Sequence, residues 1–132
     1  MIFVDSSVWI DYLNDRDTVQ TRLLDSILGR ERVVIGDVVL TEVLQGCISD
    51  KDFRETLTLL RRLDIVTVGG YDVAVAAAKN YRTLRSLGLT VRKTIDTLIA
   101  TRCILSEFEL LHNDRDFVPF EKHLGLKCLT SK

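Results

Sequence analysis

Short apolar runs that alternate with longer stretches of helical spacing constrain the fold of this chain more than any other feature. Residues 2–4, 33–35, 64–68 and 109–112 are predicted to be β-strands, because these runs are short and rich in bulky apolar side chains. Apolar residues recur with helical spacing in the segments between them. This alternation is typical of a parallel sheet covered by helices on both faces. We therefore expect an α/β fold with a mainly parallel central sheet.

Capping signals predict where the helices begin. Ser6 or Ser7 follows the first strand, where a hydroxyl can accept a hydrogen bond from a backbone N–H of the first helical turn. Asp17, with Gln20 three residues later, is similar to a capping box that opens a second helix. A later helix is expected to start near Val91.

Length and charge narrow the function classes. A chain of 132 residues favours one domain with a single core, residues 1–132. Its net charge of −1 argues against binding nucleic acid by bulk charge alone, but not against an enzyme that contacts a few phosphates and uses metal ions. No apolar run is long enough to span a bilayer, and the start lacks a signal-like pattern. We expect a cytoplasmic protein with no membrane association.

The cysteines and histidines show no ligand pattern in the sequence. Cys47, Cys103 and Cys128 are odd in number and far apart, and they form no paired motif. We interpret them as reduced and mostly buried thiols. His112 and His123 have no zinc-type spacing to the cysteines, so a zinc site is not expected.

Carboxylates in apolar surroundings are the strongest functional signal. Asp5 and Asp114 each follow a predicted strand, whereas Glu42 and Asp96 lie within apolar helical segments. An isolated Asp at a strand end is best explained as part of a turn. A carboxylate on an apolar face, however, is costly to desolvate unless it has a partner. Ligands of open α/β sheets bind at the carboxyl ends of strands, and four such acids suggest a common destination there.

A hard divalent cation would explain such a cluster. Four carboxylates brought together without a metal would repel one another, and some would stay protonated. Magnesium or manganese binds carboxylate and water oxygens in octahedral geometry. A metal-activated water would then serve as nucleophile while the metal stabilises charge on a phosphoryl oxygen. The pattern therefore fits phosphodiester hydrolysis.

Four motifs, in this order along the chain, resemble those of PIN-domain ribonucleases: Val4-Asp5-Ser6-Ser7, Thr41-Glu42, Thr94-Ile95-Asp96 with Ile99-Ala100, and His112-Asn113-Asp114-Arg115-Asp116-Phe117. The resemblance is strongest to the VapC toxins of toxin–antitoxin pairs. It implies a three-layer α/β/α sandwich, usually dimeric. Each motif alone is weak, but the four in order are specific.

The resemblance also implies roles for individual residues. Asp5, Glu42, Asp96 and Asp114 look like an acidic quartet that holds one or two Mg²⁺ ions, with Mn²⁺ as a substitute. Asp5, Asp96 and Asp114 would bind the metal, and Glu42 and Asp116 would do so directly or through water. Ser6 or Ser7 would orient the first acid.

The implied activity is that of a magnesium-dependent endoribonuclease that cuts RNA at few sites, often in tRNA or rRNA. A cognate antitoxin protein would wrap the toxin and block its acidic pocket. The helices predicted at residues 17–28 and 53–63 would, if paired, form a groove for an antitoxin helix.

Arg92 stands four residues before Asp96, which would place both on one face of a helix. In one interpretation Arg92 orients Asp96 or meets the scissile phosphate. In the other it forms an exposed ion pair that contributes less than about 1 kcal/mol.

Other α/β families and an inactive homologue are the alternatives. A phosphatase of the haloacid-dehalogenase type needs a second Asp two residues after the first, where this chain has Ser7. A receiver-like module would need paired early acids and a late strand-end lysine, and neither is evident. A catalytically inactive PIN-like binding module would lack one acid of the quartet, but all four are present.

Overall fold

The computed structural model describes residues 1–130, in which parallel strands alternate with helices. The strands are β1 (Ile2–Val4), β2 (Val33–Gly36), β3 (Asp64–Val66) and β4 (Glu109–Leu111). The α-helices are α1 (Ser6–Leu13), α2 (Val19–Ile27), α3 (Asp37–Gln45), α4 (Asp50–Leu60), α5 (Tyr71–Ser86), α6 (Thr94–Ser106) and α7 (Val118–Leu124). A short 3₁₀ turn, Arg115–Phe117, precedes α7.

The strands form one parallel sheet in the order β3-β2-β1-β4. Ile2 lies opposite Val33 on one side and Glu109 on the other, so β1 is central. Leu110 also forms a parallel bridge with Cys128, so the C-terminal segment adds a short pairing at the β4 edge. The order reverses at β1, and such a reversal opens a crevice at the carboxyl ends of the strands.

Helices cover both faces of this sheet. Successive residues of a strand point to opposite faces. All three residues of β1 and all four of β2 are buried, so neither face is exposed to solvent at the centre of the sheet. In one group of helices, α1 packs against α2 and α3, and α3 packs against α4. In the other group, α5 packs against α6 and α7. The predicted α/β sandwich with a parallel sheet is confirmed.

Three of the predicted helix starts were wrong. Asp5, not Ser6 or Ser7, caps α1, because its extended backbone lets its carboxylate accept from the first turn. Thr18, not Asp17, caps α2 and exchanges hydrogen bonds with Thr21.

The third error concerns the segment before α6. This helix begins at Thr94 rather than near Val91. Val91 is buried in the core and Lys93 has an extended backbone, so the segment between them approaches the helix without joining it.

A glycine at the end of β2 permits close packing around the sheet. A Cβ atom on Gly36 would lie 2.6 Å from Cγ2 of Val68 and 2.7 Å from Cζ of Phe3. Both neighbours are fully buried, so neither has room to move. Within residues 1–130 no helix has the length and apolar character needed to traverse a bilayer.

Candidate functional site

Asp5 anchors the site at the carboxyl end of the central strand. Its Oδ2 accepts a hydrogen bond from the Ser7 backbone N–H at 3.1 Å and another from the Ser7 hydroxyl at 2.7 Å. The Ser7 hydroxyl in turn accepts from the Asn113 backbone N–H at 3.1 Å, beyond the end of β4. One serine therefore fixes the acid and ties together the ends of the two adjacent strands.

Burial makes the charge on Asp5 costly. The side chain is only 4% exposed, and desolvation raises the pKa of its carboxyl above the ordinary value. Hydrogen bonds from Ser7 act against this rise, while the negative charge of Asp114 adds to it. Asp5 is thus held in a position where a nearby cation would strongly favour its charged form.

Helix α3, which follows β2, brings Glu42 to the same place. Burial raises the pKa of Glu42, and the negative charge of Asp5 raises it further. The side chains of Ser6 and Lys93 act in the opposite direction. Oε1 of Glu42 is buried and has no hydrogen-bond partner. Ser6 therefore faces Glu42, whereas Ser7 serves Asp5.

Asp96 lies in the first turn of α6 and is 6% exposed. Burial, followed by the negative charge of Asp5, raises the pKa of Asp96 to about 7. Its Oδ2 is buried without a partner. A buried polar atom left unpaired is uncommon in native proteins and requires an explanation.

The segment after β4 supplies two more acids. Asp114 caps the 3₁₀ turn, and its Oδ1 accepts from the Asp116 backbone N–H at 2.9 Å. Asp96, Asp114 and Asp116 each present a carboxylate oxygen within 4.8 Å of the others. Oxygens this close can share one ion after small side-chain movements.

The structure places Arg92 differently from the sequence-based expectation. Arg92 precedes α6, so it does not share a helix face with Asp96. Its guanidinium instead donates to both carboxylate oxygens of Asp116 at 3.3 Å. The prediction of an i, i+4 pair was therefore wrong, and its cause is the later start of α6.

Lys93 is a site residue that sequence reasoning undervalued. Its Nζ lies 3.9 Å from Oδ2 of Asp114, and its positive charge lowers the pKa values of both Glu42 and Asp96. From the sequence alone, a solvated helix face is the favoured interpretation of Lys93, and a place along an RNA path is the alternative. Its place immediately before the acid-bearing helix is the signal that would have identified it.

The acids fit a hard divalent cation. Within residues 1–130 the structure brings together all four predicted acids and Asp116, linked by close oxygens or by mutual charge effects on their pKa values. The donor set is all oxygen, which suits Mg²⁺ or Mn²⁺. The unpartnered buried oxygens of Glu42 and Asp96 are the atoms that such an ion, or water bound to it, would satisfy.

Comparison with known proteins identifies the family of this chain. The family model of the PIN domain matches residues 2–122. The chain belongs to the PIN-domain family. This confirms the family resemblance seen in the four motifs. Two curated relatives of this chain are "VapC ribonuclease Mb1587" of Mycobacterium bovis and "Ribonuclease VapC11" of Mycobacterium tuberculosis. Each is 29% identical over 119 residues, which cover 89% of this chain and 89% of the relative.

Solved structures of low sequence identity have the same fold. A chain of VapBC2 from Rickettsia felis, bound to a promoter DNA fragment, superposes with a TM-score of 0.77 at 19% identity, covering 100% of both chains. A chain of DNA-bound VapBC from Salmonella typhimurium gives a TM-score of 0.75 at 18% identity and covers 98% of both chains. The PIN fold therefore extends over the whole length that these chains share.

Proposed function

We propose that this PIN domain is a magnesium-dependent endoribonuclease, the toxin of a VapBC-type toxin–antitoxin pair. The observation that carries the proposal is the set of buried and half-buried carboxylates from the end of β1, α3, α6 and the segment after β4, two of which have unpartnered buried oxygens. An inactive binding protein would have no need to keep such unfavourable charges together. The names of the curated relatives support the same activity.

Each acid has a proposed role. Asp5, Asp96 and Asp114 would hold the ion, while Glu42 and Asp116 would bind it directly or through water. When bound, magnesium supplies Lewis-acid polarisation of a phosphoryl oxygen and activates water for attack. The charges that repel one another in the free site would then become favourable, because each faces a divalent cation.

Ser6 and Ser7 would orient the acids. Ser7 donates to Oδ2 of Asp5, and Ser6 faces Glu42. Such second-layer hydrogen bonds hold ligands in the geometry that a metal requires.

Two cations beside the acids would receive the RNA backbone. Arg92 and Lys93 have side chains that are 65% and 63% exposed, so both can reach a phosphate. Each now faces an acid, Asp116 and Asp114 respectively. A metal bound by those acids would release the two cations toward substrate. This local charge would allow a protein of net charge −1 to bind a polyanion such as tRNA or rRNA.

An antitoxin is the proposed protein partner. A groove between α1, the end of α3 and α4 is lined by apolar residues that include Ile10, Leu13 and Leu59. Ile48, at its rim, is 99% exposed. We propose that an apolar antitoxin helix occupies this groove. The predicted pairing of α2 with α4 is not what forms it, because the lining residues on the other side come from α1 and α3.

We also propose that the protein forms a homodimer and is located in the cytoplasm. Tyr71 and Val75 lie one turn apart on α5 and are 83% and 39% exposed, which leaves an apolar strip available for a second copy. Light scattering of the purified protein would test for the homodimer.

The activity is tested by cleavage of total tRNA and rRNA in the presence of Mg²⁺. We expect cleavage by the wild-type protein, its loss with excess chelator, and its return with Mg²⁺ or Mn²⁺. Asp96→Asn should abolish cleavage, whereas the matched control Glu31→Gln, at an exposed site in the loop before β2, should not. Cleavage that survives chelation, or full activity in Asp96→Asn, would refute the metal mechanism.

A further inference from the structure

Three potential metal ligands of different chemistry meet beside the end of β4 and form a set that shares no member with the sequence-predicted acids. His112, Glu121 and Cys128 each present a ligand atom within 4.8 Å of the others. They come from the end of β4, from α7 and from the C-terminal segment. Their separations in sequence, nine and seven residues, match no zinc motif. The expectation of no zinc site rested on the spacing of the cysteines and histidines alone.

The fold, rather than a sequence motif, creates this cluster. Leu110 forms its bridge with Cys128, and the backbone N–H of Leu110 donates to the Lys127 carbonyl at 2.8 Å. The strand pairing therefore fixes the thiol beside the end of β4. The His112 ring packs on Phe117, with 5.0 Å between ring centroids.

The donor set differs in kind from the acid site. A thiolate and an imidazole favour borderline or soft cations such as Zn²⁺ and Co²⁺, whereas the acid site offers oxygen alone. Glu121 and Cys128 already interact: burial, followed by a hydrogen bond to Glu121, raises the pKa of the Cys128 thiol to about 12. Metal binding to Cys128 would displace the thiol proton, because the thiolate is the ligand form of cysteine.

We propose that His112, Glu121 and Cys128 form a second cation site, selective for Zn²⁺-type metals. Bond lengths of the zinc type put ligand atoms roughly 3.4–3.7 Å apart in a tetrahedron. The observed cluster can contract to this spacing because Glu121 is an exposed side chain free to change rotamer. Three protein ligands would leave a fourth position for water, as in open zinc sites.

A metal bound at this second site would weaken metal binding at the acid site. The Asp114 backbone N–H donates to Nδ1 of His112 at 3.1 Å. A metal on Nδ1 would take that lone pair, and a metal on the other ring nitrogen would move the ring proton onto Nδ1. Either way the hydrogen bond that positions Asp114 is lost. Zinc would then weaken binding at the acid site by up to roughly tenfold, the value of one hydrogen bond; this consequence alone rests on the proposed function.

Titration of the whole protein with Co²⁺ tests the site, because only a cobalt–thiolate bond gives ligand-to-metal charge-transfer absorption in the near ultraviolet. We expect this band at one equivalent in the wild-type protein and its bleaching by Zn²⁺. Cys128→Ser should abolish the band, whereas Cys47→Ser, the matched control, should keep it. Glu121→Gln should weaken Co²⁺ binding at least about tenfold, since even outer-shell partners contribute that much.

Two results would overturn the proposal: a wild-type protein with no charge-transfer band, or a band that persists unchanged in Cys128→Ser. The Asp96→Asn variant separates this site from the acid site. It should keep the cobalt band while losing Mn²⁺ binding measured by electron paramagnetic resonance. In the wild-type protein one equivalent of Zn²⁺ should weaken Mn²⁺ binding more than it does in Cys128→Ser; equal weakening would refute the coupling.

Discussion

Replacing Asp96 by asparagine should stabilise the metal-free protein at pH 8 while removing its proposed activity. The pKa of Asp96 is raised from 3.8 to about 7, so the folded state disfavours the charged form. One pKa unit corresponds to about 1.4 kcal/mol, which gives a ceiling of about 4 kcal/mol for holding this charge above neutral pH. The side chain is 6% exposed, so solvent does little to screen that cost.

The sign of the pH dependence follows from proton linkage. Below pH 3.8 the carboxyl is neutral in both the folded and the unfolded states. Between pH 3.8 and about 7 only the folded state keeps the proton, so wild-type stability falls as pH rises through this window. The amide side chain in the Asp96→Asn variant does not titrate. The advantage of the variant should therefore grow from pH 4 to pH 8 and then level off.

Urea unfolding of both proteins at pH 4, 6 and 8 with chelator measures this difference. The introduced amide is a buried donor that costs about 1–3 kcal/mol at every pH, so the increase with pH is the diagnostic quantity. The free energy of unfolding of Asp96→Asn, relative to wild type, should rise by about 2–4 kcal/mol between pH 4 and pH 8. Glu31→Gln is the control for a general loss of negative charge.

Saturating Mg²⁺ should reverse the ranking at pH 8. Wild type would gain stability through ligand binding to the folded state, and Asp96→Asn would gain little. The burial argument would be refuted if the difference in free energy of unfolding between wild type and variant did not change with pH. It would also be refuted if, in chelator, the variant were more destabilised relative to wild type at pH 8 than at pH 4.

Three further outcomes are expected. Ser7→Ala should cost about 1–3 kcal/mol in urea unfolding and raise the pKa of Asp5, because Asp5 loses its 2.7 Å hydrogen bond; unchanged stability would count against the anchoring role. Gly36→Ala should cost about 1–3 kcal/mol or more in thermal unfolding through overpacking, and a neutral result would show that the neighbours can move. Lys93→Gln should shift the midpoint of pH-dependent Mg²⁺ binding upward, measured by calorimetry, because Lys93 lowers the pKa of Asp96; a downward shift would contradict this.

The sheet could be predicted from the sequence because its signals are local. Short apolar runs predict the strands, and the rule that ligands bind at the carboxyl ends of parallel strands predicts that Asp5 and Asp114 lie together. Helix boundaries could be predicted less accurately than strands, because they depend on tertiary contacts. The start of α6 depends on the burial of Val91, a tertiary contact, so the sequence alone could not place Arg92 beside Asp116 rather than Asp96.

The cluster around His112 shows where sequence reasoning ends. Spacing along the chain reveals a metal site only when a local turn brings its ligands together. Cys128 reaches His112 through a strand pairing at the β4 edge of the sheet, and no local pattern encodes that. The same limit applies to Lys93, whose effect on Glu42 and Asp96 arises from three separate elements.

A crystal structure grown with Mn²⁺, with anomalous difference maps, tests the central claim most directly. A manganese peak should lie within about 2.5 Å of carboxylate oxygens from at least two of Asp5, Asp96 and Asp114. Glu42 and Asp116 should then approach the ion or its water. An acid cluster without an anomalous peak, or manganese found only on the outer surface, would contradict the account.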